Sequence, residues 1–482
     1  VGGDAHKRAA ARRTRPVLRP EVFARVKLCY NGGNQTNPNR ETYKSKISWR
    51  HTVDTFMLKD GMLIGTASAA TQIEGGELDH TWADWYRKGH IADGANPARA
   101  NDHYNRWQED DALMRDMGLQ IARVGVEWAR IEPEEGKFSE EVIAQYVREI
   151  EQLNTYGIKP LVTLHHFTNP MWFERMGAFE KVENIAYFLR FVERMVTAFG
   201  PSVTEYITIN EPNVYATNGY FFGSWPPGKR TLRGTVRVMA VLAAAHIQAY
   251  GRIHALQKSF GVADTRVSFA NHVRVFAPEN PKNPLHRLAA RLTERLFQGS
   301  LSRALCTGAF PWPLRNLTHA PKGLYCDFIA VNYYTRSTVS GLSDGTRKGA
   351  PVNDLGWEIY PEGIVTCARK LYAIHPLPIY ITENGTCDNQ DAFRCRYLYD
   401  HLRALCESEL PVKRYYHWCF CDNFEWAEGE SARFGLVRID YDTQKRTVKR
   451  SGAFLSRVIA EGGVTESLYA EYVQPEQYPI KY

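Results

Sequence analysis

The sequence predicts an α/β protein folded as a single-domain (β/α)8 TIM barrel. Three observations predict it. From Met57 onward, short apolar runs rich in β-branched residues alternate with longer helical patterns; eight such runs occur; and two of them end in a glutamate followed by a strand breaker.

The strand-like runs fall near residues 62–68, 119–126, 159–165, 205–210, 266–271, 326–332, 377–382 and 414–420. Between the first two, Trp107, Met114 and Met117 share one helical face, and Gly118 supplies a left-handed stop before Leu119. Between the third and fourth, Phe188, Phe191, Val192, Met195 and Phe199 recur at helical spacing until Gly200-Pro201 ends the pattern. Eight βα units that close on themselves place the active site at the carboxyl ends of the strands. No internal repeat, low-complexity tract or Pro/Ser-rich linker interrupts residues 57–482, which are read as one barrel.

The net charge of +7 does not belong to that barrel. Residues 1–56 hold 12 Lys and Arg against 4 Asp and Glu, which leaves 48 against 49 for the rest. The basic stretch has neither helical nor strand periodicity and no apolar h-region, so it does not read as a secretory signal. Met57 is the first methionine, and the expectation is that it is the natural start, with residues 1–56 a disordered or non-native extension. A transit peptide and a basic interaction arm are the alternatives. Nine scattered cysteines without a regular framework suit reduced thiols in the cytoplasm. The Cys419-x-Cys421 pair lacks the further ligands of a structural zinc and is read as core. No run approaches the roughly 20 apolar residues of a membrane span.

The chemistry rests on two strings 172 positions apart, Ile207-Thr208-Ile209-Asn210-Glu211-Pro212 and Ile379-Tyr380-Ile381-Thr382-Glu383-Asn384-Gly385. In a barrel they end the fourth and seventh strands, so two carboxylates enter one mouth from nearly opposite sides. A retaining glycosidase needs such a pair about 5–5.5 Å apart, one to protonate the leaving oxygen and one to attack the anomeric carbon.

Nine segments in order then carry a resemblance. They are Gly65-Thr66-Ala67 through Gln72-Ile73-Glu74-Gly75, Ala122-Arg123-Val124 through Ile131, Leu164-His165-His166-Phe167, and Thr208 through Pro212. After these come Val331-Asn332-Tyr333-Tyr334, Gly356-Trp357 through Gly363, Ile381 through Gly385, His417-Trp418 through Glu425-Trp426, and Arg433-Phe434-Gly435-Leu436. From about Met57 to Phe454 the chain resembles glycoside hydrolase family 1, the β-glucosidase family.

The resemblance implies a retaining exo-β-glycosidase that uses no cofactor and no metal. In it Glu211 resembles the general acid/base and Glu383 the nucleophile that stays ionised, oriented by Arg123 and Tyr334. Gln72, His166, Asn210, Asn332, Glu425 and Trp426 resemble the set that binds the sugar, Trp418 its aromatic floor, and Trp357 the aglycone side. A glutamate at 425 disfavours a 6-phosphate through like-charge repulsion, and Glu211 argues against the thioglucosidase branch, which typically has glutamine there. The chain departs from the common pattern at Phe167-Thr168-Asn169-Pro170, where Trp-Asp-Leu-Pro is usual, and at Thr71. Glucose, galactose and fucose therefore all stay open as the glycone.

His165 faces away from His166 on a strand and is read as structural, as are Glu127 and Glu132. The expected partner is a small β-glycoside or oligosaccharide, with no nucleic acid and no membrane; homo-oligomerisation is left open. The competing readings are an endo-acting β-glycanase, which also uses Asn-Glu-Pro, and a non-catalytic sugar-binding barrel, which characteristically lacks one of the two carboxylates.

Overall fold

In the computed structural model, which describes residues 54–341 and 343–481, eight parallel strands close into a barrel. They are β1 (Leu63–Ala67), β2 (Ile121–Gly125), β3 (Lys159–Thr163), β4 (Glu205–Asn210), β5 (Arg266–Pro278), β6 (Ile329–Ser340), β7 (Ile379–Asn384) and β8 (Val412–Trp418). Each pairs with its sequence neighbour; β8 pairs with β1, and β5 with β6. Every predicted strand is present. Two run further than their apolar patterns: β5 and β6 continue together through Val275↔Arg336 to Pro278↔Val339. Arg274 and Arg336 break the apolar pattern there, so the sequence reads as leaving the strand while the backbone pairing continues.

The strands that carry the glutamates are the most enclosed. All six residues of β4 and all six of β7 are buried, as parallel strands covered on both faces require. Helix α1 (His103–Asp116) buries Trp107 and Met114, and Gly118 follows it at φ 71° as the spacing predicts. Helix α2 (Ile185–Phe199) buries Phe188, Phe191, Val192, Met195 and Phe199.

The expected extension over 1–56 lies outside the described residues up to position 53. Its last residue, Phe56, is buried; with Met57 it pairs antiparallel to Gly463–Val464, and its ring meets Tyr399. No helix among the described residues is long and apolar enough to cross a membrane.

Gly385 sets how closely the tips of β7 and β8 approach. A Cβ there would lie 1.9 Å from the Trp418 carbonyl oxygen, a backbone atom that cannot turn aside. Gly385→Ala is expected to lower stability by about 1–3 kcal/mol through overpacking. Urea unfolding should show this as a lower midpoint at unchanged slope.

Candidate active site

Glu211 follows β4 directly and adopts a left-handed backbone at φ 42°. A side-chain residue held there costs roughly 1–3 kcal/mol. The neighbouring strand holds it: the Glu211 N–H donates to the Ala270 carbonyl of β5 at 2.7 Å. Glu383 sits one residue before the end of β7, so its side chain is fixed by the sheet rather than by a loop.

Arg123, on β2 and fully buried, ties the two strings together. Its Nη1 donates to Glu383 Oε1 (2.5 Å), its Nη2 to Asn210 Oδ1 (2.8 Å), and its Nε to Thr163 Oγ1 (2.9 Å). Tyr334 on β6 donates its hydroxyl to Glu383 Oε2 at 2.5 Å. Each oxygen of Glu383 thus has a donor of its own, and both donors bind the ionised form best.

Burial pushes the Glu383 carboxyl up, to about 7; the Arg123 charge opposes this, the Glu211 carboxylate adds to it, and Tyr334 opposes it again. For the expected ionised Glu383, burial and the Glu211 charge thus push toward the neutral acid while Arg123 and Tyr334 act to keep the carboxylate.

Asn210 and Asn332 form the bridge to Glu211. Asn332 Nδ2 donates to Glu211 Oε1 (2.9 Å) and to Asn210 Oδ1 (3.0 Å), while its Oδ1 accepts from Thr382 (2.6 Å). With Asn210 Oδ1 accepting from two donors, its Nδ2 is the donor toward His166 Nε2 at 2.9 Å. His166 is held neutral, its pKa driven well down by burial and then by Arg123. Its remaining proton is therefore on Nδ1.

Among the described residues that Nδ1–H has no partner, and neither does Gln72 Oε1, although both atoms are buried. Buried polar atoms are normally paired. A buried donor and a buried acceptor left open suit hydroxyl groups, which can accept from one and donate to the other. Gln72 is itself locked by its amide, which donates to the Phe424 carbonyl (2.9 Å), Asn423 Oδ1 (3.3 Å) and Glu425 Oε2 (3.3 Å). Burial raises Glu425 to about 8, opposed by Trp418 and reinforced by Glu383.

Aromatic rings wall this polar set. The His166 ring lies 5.7 Å from Trp418 and 5.8 Å from Trp426. Half-buried Trp357 stands 6.0 Å from Tyr334. These contacts place all of the predicted residues in one constellation: Gln72, Arg123, His166, Asn210, Glu211, Asn332, Tyr334, Trp357, Glu383, Trp418, Glu425 and Trp426.

The residues read as structural lie in other surroundings. His165 bonds Asn169 and packs on Phe179. Glu132 accepts from Trp128 and the Gly136 amide. Cys419 and Cys421 are buried, Cys419 Sγ bonding the Cys421 carbonyl. Glu127 is buried and bound by Thr71, whose hydroxyl also meets that of Thr168 at 2.5 Å, so two of the unusual positions touch each other.

Sequence reasoning missed Thr163, Trp225, His272 and Arg274. Trp225 lies 5.1 Å from Phe167 in a segment without periodicity that nothing singles out. His272 contacts Glu211 from just beyond the apolar run of β5, where a polar residue resembles a strand exit.

The family model described as Glycosyl hydrolase family 1 matches residues 54–464. Beta-glucosidase A of Thermotoga maritima is 31% identical over 84% of this chain and 98% of its own. A Beta-galactosidase of Pyrococcus woesei is 26% identical over 87% of this chain and 100% of its own. Among solved structures, the Thermotoga maritima beta-glucosidase in complex with glucoimidazole superposes with a TM-score of 0.78 at 30% identity, covering 85% of this chain and all of the other. A closed (β/α)8 barrel with paired glutamates at the tips of its fourth and seventh strands, matched along almost its whole described length, makes this chain a member of glycosyl hydrolase family 1, a family of retaining glycosidases.

Proposed function

We propose that the protein removes a terminal, non-phosphorylated β-linked sugar from small glycosides, with Glu383 as nucleophile and Glu211 as acid/base. One observation carries the assignment: Glu383 has a donor on each oxygen, Arg123 and Tyr334, whereas among the described residues Glu211 is held on Oε1 alone.

In the first step a Glu383 oxygen attacks the anomeric carbon, the bond to the leaving oxygen breaks, and Glu211 gives that oxygen its proton. In the second, water attacks the same carbon, Glu211 takes a proton from it, and the bond to Glu383 breaks. Asn210 faces the sugar from beside Glu211, where a hydrogen bond to the 2-hydroxyl strengthens as the oxocarbenium-like state forms.

The glycone is glucose or a close epimer. Supporting this are Gln72, His166 and Glu425, which offer an acceptor, a donor and a carboxylate to sugar hydroxyls, and the beta-glucosidase and beta-galactosidase relatives. A 6-phosphate is disfavoured because the side chains that bond Glu425, the Gln72 amide and the Trp418 indole, carry no positive charge. The eight described cysteines are all free, which fits a reducing compartment such as the cytoplasm.

Initial rates on aryl β-glucoside, β-galactoside, β-fucoside, β-mannoside and 6-phospho-β-glucoside test the reading. Turnover of the glucoside, galactoside or fucoside above the other two is expected, with the same ranking for residues 54–482 as for the full chain. A preference for the phosphorylated sugar, or no turnover of any, would overturn it.

A further inference from the structure

Behind Glu211 lies a pair of side chains that the mechanism above does not use. His272, buried on β5, places Nδ1 3.3 Å from Glu211 Oε1. On its far side, Arg274 Nε and Nη2 lie 3.2 and 3.1 Å from His272 Nε2. The imidazole is stacked on Tyr334, with centroids 5.7 Å apart and 15° between planes, and Phe297 closes its edge. Arg274 is anchored in turn: its Nη1 donates to Ser337 Oγ (3.2 Å), and its backbone N–H and carbonyl both bond the Gln298 amide.

Elementary donor counting fixes the protons. A guanidinium has five N–H donors and no acceptor, so a nitrogen that meets it end-on must accept. His272 Nε2 is therefore unprotonated, and the proton of the neutral ring is on Nδ1, facing Glu211. An imidazolium would set N–H against N–H. Burial also lowers the His272 pKa, with Glu211 acting upward and Arg274 downward, which agrees with a neutral ring.

Glu211 Oε1 thus accepts from two donors, His272 Nδ1 and Asn332 Nδ2. Oε2 has no protein partner among the described residues. When Glu211 is protonated, a hydrogen on Oε1 would face both donors, so the hydrogen belongs on Oε2.

We propose that Arg274 and His272 are positioning residues for the acid/base: Arg274 fixes the tautomer of His272, and His272 reserves Oε1 of Glu211 as an acceptor. The transferable proton is thereby assigned to Oε2, the oxygen open to the leaving group. This rests on the reading of Glu211 as the acid/base, and it adds a specific source of proton placement that neither strand-tip motif encodes.

The test is leaving-group dependence, because proton donation matters for an alkyl glycoside and hardly at all for a 2,4-dinitrophenyl glycoside. With the best glycone, His272→Phe is expected to lower kcat/KM for the alkyl glycoside about 10- to 100-fold, the effect of one charge-assisted hydrogen bond, and for the dinitrophenyl glycoside less than about 2-fold. Arg274→Met, at a half-buried position, should show the same selectivity with a smaller loss. His272→Asn, which can present an amide N–H near the Nδ1 position, should recover much of the alkyl activity.

Glu211→Gln is measured in parallel. Selective loss in Glu211→Gln but equal or no loss on the two substrates in the His272 and Arg274 variants would overturn the pair and leave the acid/base reading standing. No selectivity in Glu211→Gln would overturn that reading, and the pair with it.

Discussion

Glu383→Gln is expected to lower kcat on an aryl β-glycoside by about 10⁴-fold or more, the scale on which loss of an activated nucleophile is felt. The amide has nearly the volume of the carboxylate, so the pocket keeps its shape. It carries no charge and cannot form the glycosyl ester. Arg123 then faces a neutral partner, while its bonds to Asn210 and Thr163 persist, so sugar binding should change far less than turnover. Initial rates beside a binding measurement separate the two. A fall in affinity with kcat preserved would make Glu383 a binding residue and contradict its role.

Glu211→Gln is the second large effect. General acid catalysis contributes about 10²- to 10⁴-fold, and that loss should appear with alkyl and disaccharide leaving groups while formation of the glycosyl-enzyme from a dinitrophenyl glycoside survives. The same variant moves the pH profile. In the parent, burial and the Glu211 charge together raise Glu383 to about 7, so kcat/KM should fall as pH drops through that region and the nucleophile takes up a proton. Removing the Glu211 charge removes an upward push on Glu383. The acid limb, read on the dinitrophenyl substrate, should therefore move to lower pH, while burial keeps it above that of a solvated carboxylate. An unmoved limb would mean that the two groups do not sense each other.

The barrel was legible because parallel strands buried on both faces read as unbroken apolar runs: Ile207–Ile209 and Ile379–Ile381 are of this kind, and both strands are wholly buried. The far halves of β5 and β6 were not, since Arg274 and Arg336 are polar residues on strands that have left the core. Glu211, Glu383 and their partners were legible through motifs at strand tips.

His272 was not, because its role depends on which side of Glu211 the β5 tip passes, a property of barrel closure rather than of local pattern. The same holds for Thr71, Glu127 and Thr168, which meet from three separate segments. The upward push that burial exerts on Glu383 was also hidden from the sequence. Motif spacing names the donors that favour its charge, but only the fold says how completely water is excluded.

The most direct measurement is to incubate the protein with a 2-deoxy-2-fluoro-β-glycoside of dinitrophenol, which forms the glycosyl-enzyme but hydrolyses it slowly, and to locate the label by peptide mass spectrometry. The account predicts time-dependent inactivation with one sugar attached to Glu383 and none in Glu383→Gln. A label on Glu211, or full turnover without any covalent adduct, would contradict it.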